Sequence, residues 1–151
     1  MSIASVPLPA APRNGSPVPE LTSIHSTLRR GEYGSHNYPG NCGGYLIRDL
    51  LRYFDVQKVF DPMSGSGTCR DVCQELGIEC FSADLHSGFD CANADQVRSA
   101  GEFDFVWLHP PYWRMKRYSD DPRDLSTAPT LPRFLEALSQ VIVNCRDVLQ
   151  P

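Results

Sequence analysis

The chain has 151 residues, 41% of them hydrophobic and 21% charged, with a formal net charge of −4. This suffices for one domain with a real core, is short for a complete doubly wound sheet, and gives no global electrostatic signal for nucleic acid. No apolar stretch approaches the ~20 residues of a membrane-spanning helix, and the amino terminus lacks a signal peptide's apolar core, so a cytoplasmic protein without membrane contact is expected.

Residues 1–20 hold five of the 13 prolines and few large apolar side chains, the composition of a flexible tail ahead of a domain at 21–151. Residues 21–44 are polar and glycine-rich, with Tyr33, His36 and Tyr38 interleaved. From Tyr45 a helical period sets in through Leu46, Ile47, Leu50, Leu51 and Phe54. Val56–Asp61 reads as a first strand, Thr68–Leu76 as a short helix closed by Gly77, and Ile78–Asp84 as a second strand.

Residues 85–101 read as irregular, with a short third strand near Phe89 and a brief helix over Ala94–Ala100. Phe103–Leu108 makes a fourth strand. After a polar stretch over 114–130, the strongest helix begins at Leu131 with Pro132 in its first turn. Its apolar positions are Phe134, Leu135, Leu138, Val141, Ile142, Cys145, Val148 and Leu149. Strands alternating with helices at this spacing predict an α/β fold: a Rossmann-like parallel sheet of about four strands with flanking helices.

Cys42, Cys69, Cys73, Cys80, Cys91 and Cys145 show no paired C-x-x-C spacing and no His-x-x-x-His partner. Cys69 and Cys73 fall four apart on a predicted helix. Reduced, buried thiols are expected rather than zinc ligands, and no metal site is assigned.

Two loops carry the chemistry. Asp61-Pro62-Met63-Ser64-Gly65-Ser66-Gly67-Thr68 joins a strand to a helix. Its glycines permit close backbone approach, and the free amides of the helix start favour a polar ligand group. No lysine follows, which excludes a Walker loop, and Asp84 stands where an acid that holds ribose hydroxyls is expected. NAD prefers G-x-G-x-x-G directly after the strand. Asp61-Pro62 suits S-adenosylmethionine better, because a carboxylate there can accept hydrogen bonds from the cofactor's amino group.

The second loop is His109-Pro110-Pro111-Tyr112-Trp113. Its prolines stiffen the turn and remove two amide donors, leaving carbonyls free to accept from an amine. Tyr112 offers a face to a flat base, as in sites that act on a flipped nucleotide.

With these motifs the chain resembles the amino-group DNA methyltransferases, which methylate adenine-N6 or cytosine-N4. Asp61–Thr68 is similar to their D-P-F-x-G-S-G-T loop with Met63 for Phe, and Pro110-Pro111-Tyr112-Trp113, followed by Tyr118, resembles their catalytic loop. His36-Asn37-Tyr38-Pro39-Gly40-Asn41 looks like a worn version of a further family element. The resemblance covers about residues 36–151 and implies the front part of a class I methyltransferase domain.

It also implies roles. Asp61, Gly65 and Gly67 would line the methionine end of S-adenosylmethionine, and Pro62, Ser64 and Thr68 would also bind the cofactor. Asp84 would hold the ribose, and Asp90, with Asp95 as alternative, would lie near the adenine. His109, Pro110, Pro111 and Tyr112 would form the catalytic turn, Pro110 through its carbonyl. Trp113, Tyr118, Arg114, Lys116 and Arg117 would contact double-stranded DNA with its target base flipped out, although Asp120, Asp121 and Asp124 equally fit a solvated mixed-charge loop. His109 departs from the family's Asp, Asn or Ser; neutral imidazole still accepts one hydrogen bond. The family's sheet has further strands, so a homo-oligomer or a second chain completing the sheet is a further expectation. The alternatives are an RNA base methyltransferase and a non-catalytic module that binds cofactor or a partner.

Overall fold

The computed structural model describes His25 and residues 29–150; the proline-rich segment 1–20 lies outside the described residues. Helix α1 spans Gly44–Tyr53, α2 Thr68–Leu76, α3 Ala94–Ser99 and α4 Leu131–Asp147. Strands β1 (Lys58–Asp61), β2 (Glu79–Ser82) and β3 (Phe105–Val106) form a parallel sheet in the order β2-β1-β3. The protein is thus a small α/β fold with helices on both faces of a parallel sheet, as in the front part of a Rossmann-like fold.

Each strand sends alternate residues to opposite faces. On one side Val59 and Cys80 join Phe105 and Trp107 against Ile47, Leu51, Val72 and Cys73 of α1 and α2. On the other, Phe60, Phe81, Val106 and Leu108 meet Val97, Val141, Cys145 and Val148 from α3 and the α4 region. Phe60 and Phe103 are fully buried and stacked at 4.8 Å. Burying each ring contributes on the order of 2–3 kcal/mol.

The strands are shorter than forecast, 58–61, 79–82 and 105–106 against 56–61, 78–84 and 103–108, and the forecast differs from the structure in two further places. Among the described residues the sheet has three strands, because 85–93 spends its amides on turns rather than on a ladder. Asp84 and Ser87 form a reciprocal capping box, Gly88 takes a left-handed φ of 85°, and Phe89 N donates to Asp84 O at 2.9 Å. Asp90 N goes to Gln96 Oε1, and Asn93 Oδ1 caps α3. Phe89 still enters the core, edge-on to Phe60 and Phe81.

The second difference concerns α4, whose apolar positions do not all face inward. Phe134, Val141 and Cys145 are buried, whereas Leu131, Leu135 and Ile142 are exposed. Asn144 is buried among them, donating to Cys91 O at 3.0 Å and accepting from Gln140 at 2.8 Å. Beyond α4, Phe103 and Leu149 form a parallel bridge, which lays residues 149–150 beside the approach to β3.

The strand order decides where a ligand fits. The connection through α2 carries the chain from β1 to β2 on one side, and the next connection returns it to β3 on the other. Loops leaving β1 and β3 therefore diverge at their carboxyl ends, and a crevice opens between them at this switch point.

Candidate functional site

That crevice is a cleft walled by the loop after β1, the turn after β2, the loop after β3 and the segment around Tyr38. Asp61 ends β1 at its floor, 1% exposed, and accepts from Ser82 Oγ at 2.8 Å. Burial pushes its carboxyl up to about 7, against the lowering effect of the Ser82 bond. A carboxylate left in such a place asks for a positive partner.

The loop after Asp61 is held from several sides. Ser64 N donates to Ala83 O at 3.0 Å, Gly67 N to Ser64 O at 2.8 Å, and Ser64 Oγ to Asp84 Oδ2 at 3.2 Å. Gly65 takes a φ of 51°, and a Cβ there would lie 3.0 Å from the Tyr38 ring. Thr68 Oγ1 donates to Asn41 Oδ1 in a short hydrogen bond. Gly34 N reaches Asp71 of α2 at 2.8 Å, so residues 34–41 form a strap across the loop.

Tyr38 on the strap stacks on Tyr118, with ring centroids 5.9 Å apart. Tyr118 Oη also donates to Pro39 O at 3.1 Å. The segment around His36 thus contributes Tyr38, Gly40 and Asn41 to the cleft, while His36 itself is exposed and outside its lining.

The turn after β3 closes the opposite side. His109, Pro110, Pro111 and Tyr112 all line the cleft. His109 Nε2 and Tyr112 Oη are 2.9 Å apart and hydrogen-bonded, and burial lowers the imidazole pKa, which keeps it neutral near pH 7. Tyr112 is 61% exposed at the rim.

Of the expected ligand-holding residues, Asp61, Pro62, Ser64, Gly65, Thr68, Asp84 and Asp90 line the cleft. Gly67 does not; it starts α2 with a φ of 82°, against the Arg70 guanidinium. Asp90, not Asp95, is the acid at the far end. Its carboxyl accepts from Ala92 N at 2.9 Å, whereas Asp95 stands 90% exposed and paired with Arg98.

The substrate group divides as well. Tyr118 lines the cleft; Trp113, Arg114, Lys116 and Arg117 do not. Trp113 Nε1 donates to Ala128 O at 2.9 Å, which ties the indole to the segment before α4. Arg114 lies over the Trp113 ring and donates to Pro129 O. Arg117 pairs with Asp120 at 2.8 Å and Arg123 with Asp121 at 2.6 Å, so much of the basic strip is neutralised within its own loop.

Sequence reasoning missed Asp124. It is buried at the cleft edge and accepts from Ser119 N, Ser119 Oγ and Ser126 N at 2.8–2.9 Å. Its signal was local: Asp124-Leu125-Ser126 is an Asp-x-Ser cap on a tight turn, set within charges that read as solvated.

Four carboxylates, Asp61, Asp84, Asp90 and Asp124, line the cleft, and among the described residues no lysine or arginine does. A pyrophosphate would meet repulsion here. Carboxylates suit a ligand that brings cationic groups and hydrogen-bond donors. Compared with known proteins, the chain matches no family model, no curated protein and no solved structure.

Proposed function

We propose that the chain binds S-adenosylmethionine in this cleft and methylates an exocyclic amino group, cytosine-N4 or adenine-N6, of a base flipped out of DNA. The observation that carries the reading is the cleft's polarity at the switch point of a parallel sheet: among the described residues four carboxylates line it and no lysine or arginine does. Of the four, Arg123 reaches only Asp90, at 4.0 Å and from outside the lining. Such a lining favours a cofactor with a sulfonium and an ammonium over a dinucleotide with phosphates.

Asp61 would hold the cofactor's ammonium, with Ser82 orienting its second oxygen. Asp84 already accepts from Ser64 and Ser87, and its remaining lone pairs suit ribose hydroxyls. Asp90, beside Leu85 and Cys91, would border the adenine. When bound, the cofactor supplies an electrophilic methyl group. The Pro110 carbonyl would accept from the target amine and leave its lone pair directed at that methyl.

Tyr112, exposed at the rim, would stack on the base, and neutral His109 would steady the tyrosine without repelling the positive charge that grows on nitrogen. Among the described residues no helix is long and apolar enough to cross a membrane.

The test is transfer of labelled methyl to mixed DNA and RNA, read by nucleoside mass spectrometry. N4-methylcytosine or N6-methyladenine in DNA is expected. Label confined to RNA would move the substrate class, and no transfer alongside intact cofactor binding would leave a binding module.

A further inference from the structure

The fold brings together three thiols that the sequence keeps apart. Cys69 and Cys73 lie one turn apart on α2, and β2 delivers Cys80 against them. The three Sγ atoms all lie within 4.8 Å of one another. Cys69 and Cys73 are buried and Cys80 is partly exposed; all six cysteines of the chain are free thiols. Cys69 also borders the cleft, so the cluster sits behind the loop at 61–68, and Cys80 is its partly exposed member.

We propose that Cys69, Cys73 and Cys80 form a binding site for a soft, three-coordinate ion, with trivalent arsenic as the chemistry that fits best. Three converging sulfurs match a pyramidal centre whose fourth direction is a lone pair. Zinc needs a fourth donor in a tetrahedron, and the surroundings of the thiols are Ile47, Leu51, Val59 and Val72.

Charge selects in the same direction. Zinc with three thiolates is an anion, and copper(I) with three carries two negative charges. The apolar side chains packed around the thiols offer no compensation for a buried charge, and the guanidinium of Arg70 is itself largely exposed. An arsenic tris-thiolate is neutral and buries no charge.

The step balances without an oxidant. Arsenous acid, As(OH)3, exchanges its three As–O bonds for three As–S bonds. Each thiol proton leaves with a hydroxide as water, and arsenic stays trivalent throughout. Cys80, the partly exposed member, is the thiol that the arsenic centre meets first, and the buried Cys73 and Cys69 follow.

The experiment uses the reduced full chain and sodium arsenite. Native mass spectrometry is expected to show one arsenic gained and three protons lost per chain, and arsenic-edge X-ray absorption three sulfur neighbours with no oxygen. Cys80→Ser, at the partly exposed strand position where folding is least at risk, is expected to exchange one sulfur for oxygen and weaken binding at least tenfold. Cys145→Ser, in the opposite core, is expected to leave both readouts unchanged. Two sulfurs in the unaltered chain, unchanged binding in Cys80→Ser, or preference for zinc over arsenite in competition would each overturn the assignment. None of these readouts depends on methyl transfer.

Discussion

The loop after β1 and the loop after β3 face each other across one cleft, yet they are built in opposite ways. The first is tied to Ala83 and Asp84 after β2 and to the strap at 34–41 by hydrogen bonds from Ser64 and Thr68, is closed on itself by Gly67 N to Ser64 O, and its Asp61 is buried. The second gives up two amide donors to Pro110 and Pro111, bonds its own His109 to its own Tyr112, and leaves Tyr112 mostly in solvent. A site that holds a small cofactor benefits from a wall formed in advance, because ordering it at binding would weaken affinity. A site that receives a base from a polymer needs an open rim. The contrast fits a division between cofactor wall and substrate rim.

The largest expected effect comes from Asp61→Asn. Removing the buried carboxylate should weaken S-adenosylmethionine binding at least about a hundredfold, measured by calorimetry. The same change should stabilise the ligand-free protein at neutral pH. The folded-state pKa of about 7 lies above the unfolded value of 3.8, so folding favours the protonated acid. Stability from this group is full below pH ~4 and is lost as pH rises towards 7, by an amount on the order of 4 kcal/mol. Denaturation midpoints that do not rise in Asp61→Asn at pH 7 would break the link between burial and function.

Tyr112→Ala tests the other loop. It should reduce methyl transfer roughly five- to a hundredfold through lost base stacking. Thermal stability should stay within about 0.5 kcal/mol and cofactor affinity should hold, since the ring is 61% exposed. A fall in cofactor affinity as large as the fall in transfer would erase the proposed division between wall and rim.

Gly65→Ala should be felt on the wall alone. A Cβ would sit at a φ of 51° and 3.0 Å from the Tyr38 ring, for a cost of about 1–2 kcal/mol. Chemical denaturation reads this directly, and Tyr38→Ala in the same chain should relieve the contact while leaving the backbone strain. The smallest effect is expected for His109→Asn, which preserves a hydrogen bond to Tyr112. Transfer at pH 7 should change by less than about tenfold, and any loss of activity on the acid side caused by imidazole protonation should disappear.

The sequence made the alternation of β1, β2 and β3 with helices legible, because each apolar strand ends in a loop with its own chemistry. Asp61, Gly65 and Asp84 could be named because a strand, a glycine turn and the next strand end fix their positions, whereas Ser64 came only with the family resemblance. Phe89 was misread because it has a strand residue's character while Gly88 and the Asp84–Ser87 box bend its backbone. Asp124 was hidden because a charged residue in a charged loop looks solvated until its three hydrogen bonds are seen. Cys80 was invisible beside Cys69 and Cys73 because only the β1–β2 pairing brings it to α2. Local pattern reveals what one segment does, and long-range pairing decides which segments meet.

The decisive measurement is calorimetric titration of the full chain with S-adenosylmethionine and, separately, with NAD. One S-adenosylmethionine site per chain is expected, with affinity rising as pH increases through about 7 because Asp61 must ionise to meet the ammonium. No binding of NAD is expected. Tight NAD binding, or S-adenosylmethionine binding that is absent or indifferent to Asp61→Asn, would contradict the proposed cofactor.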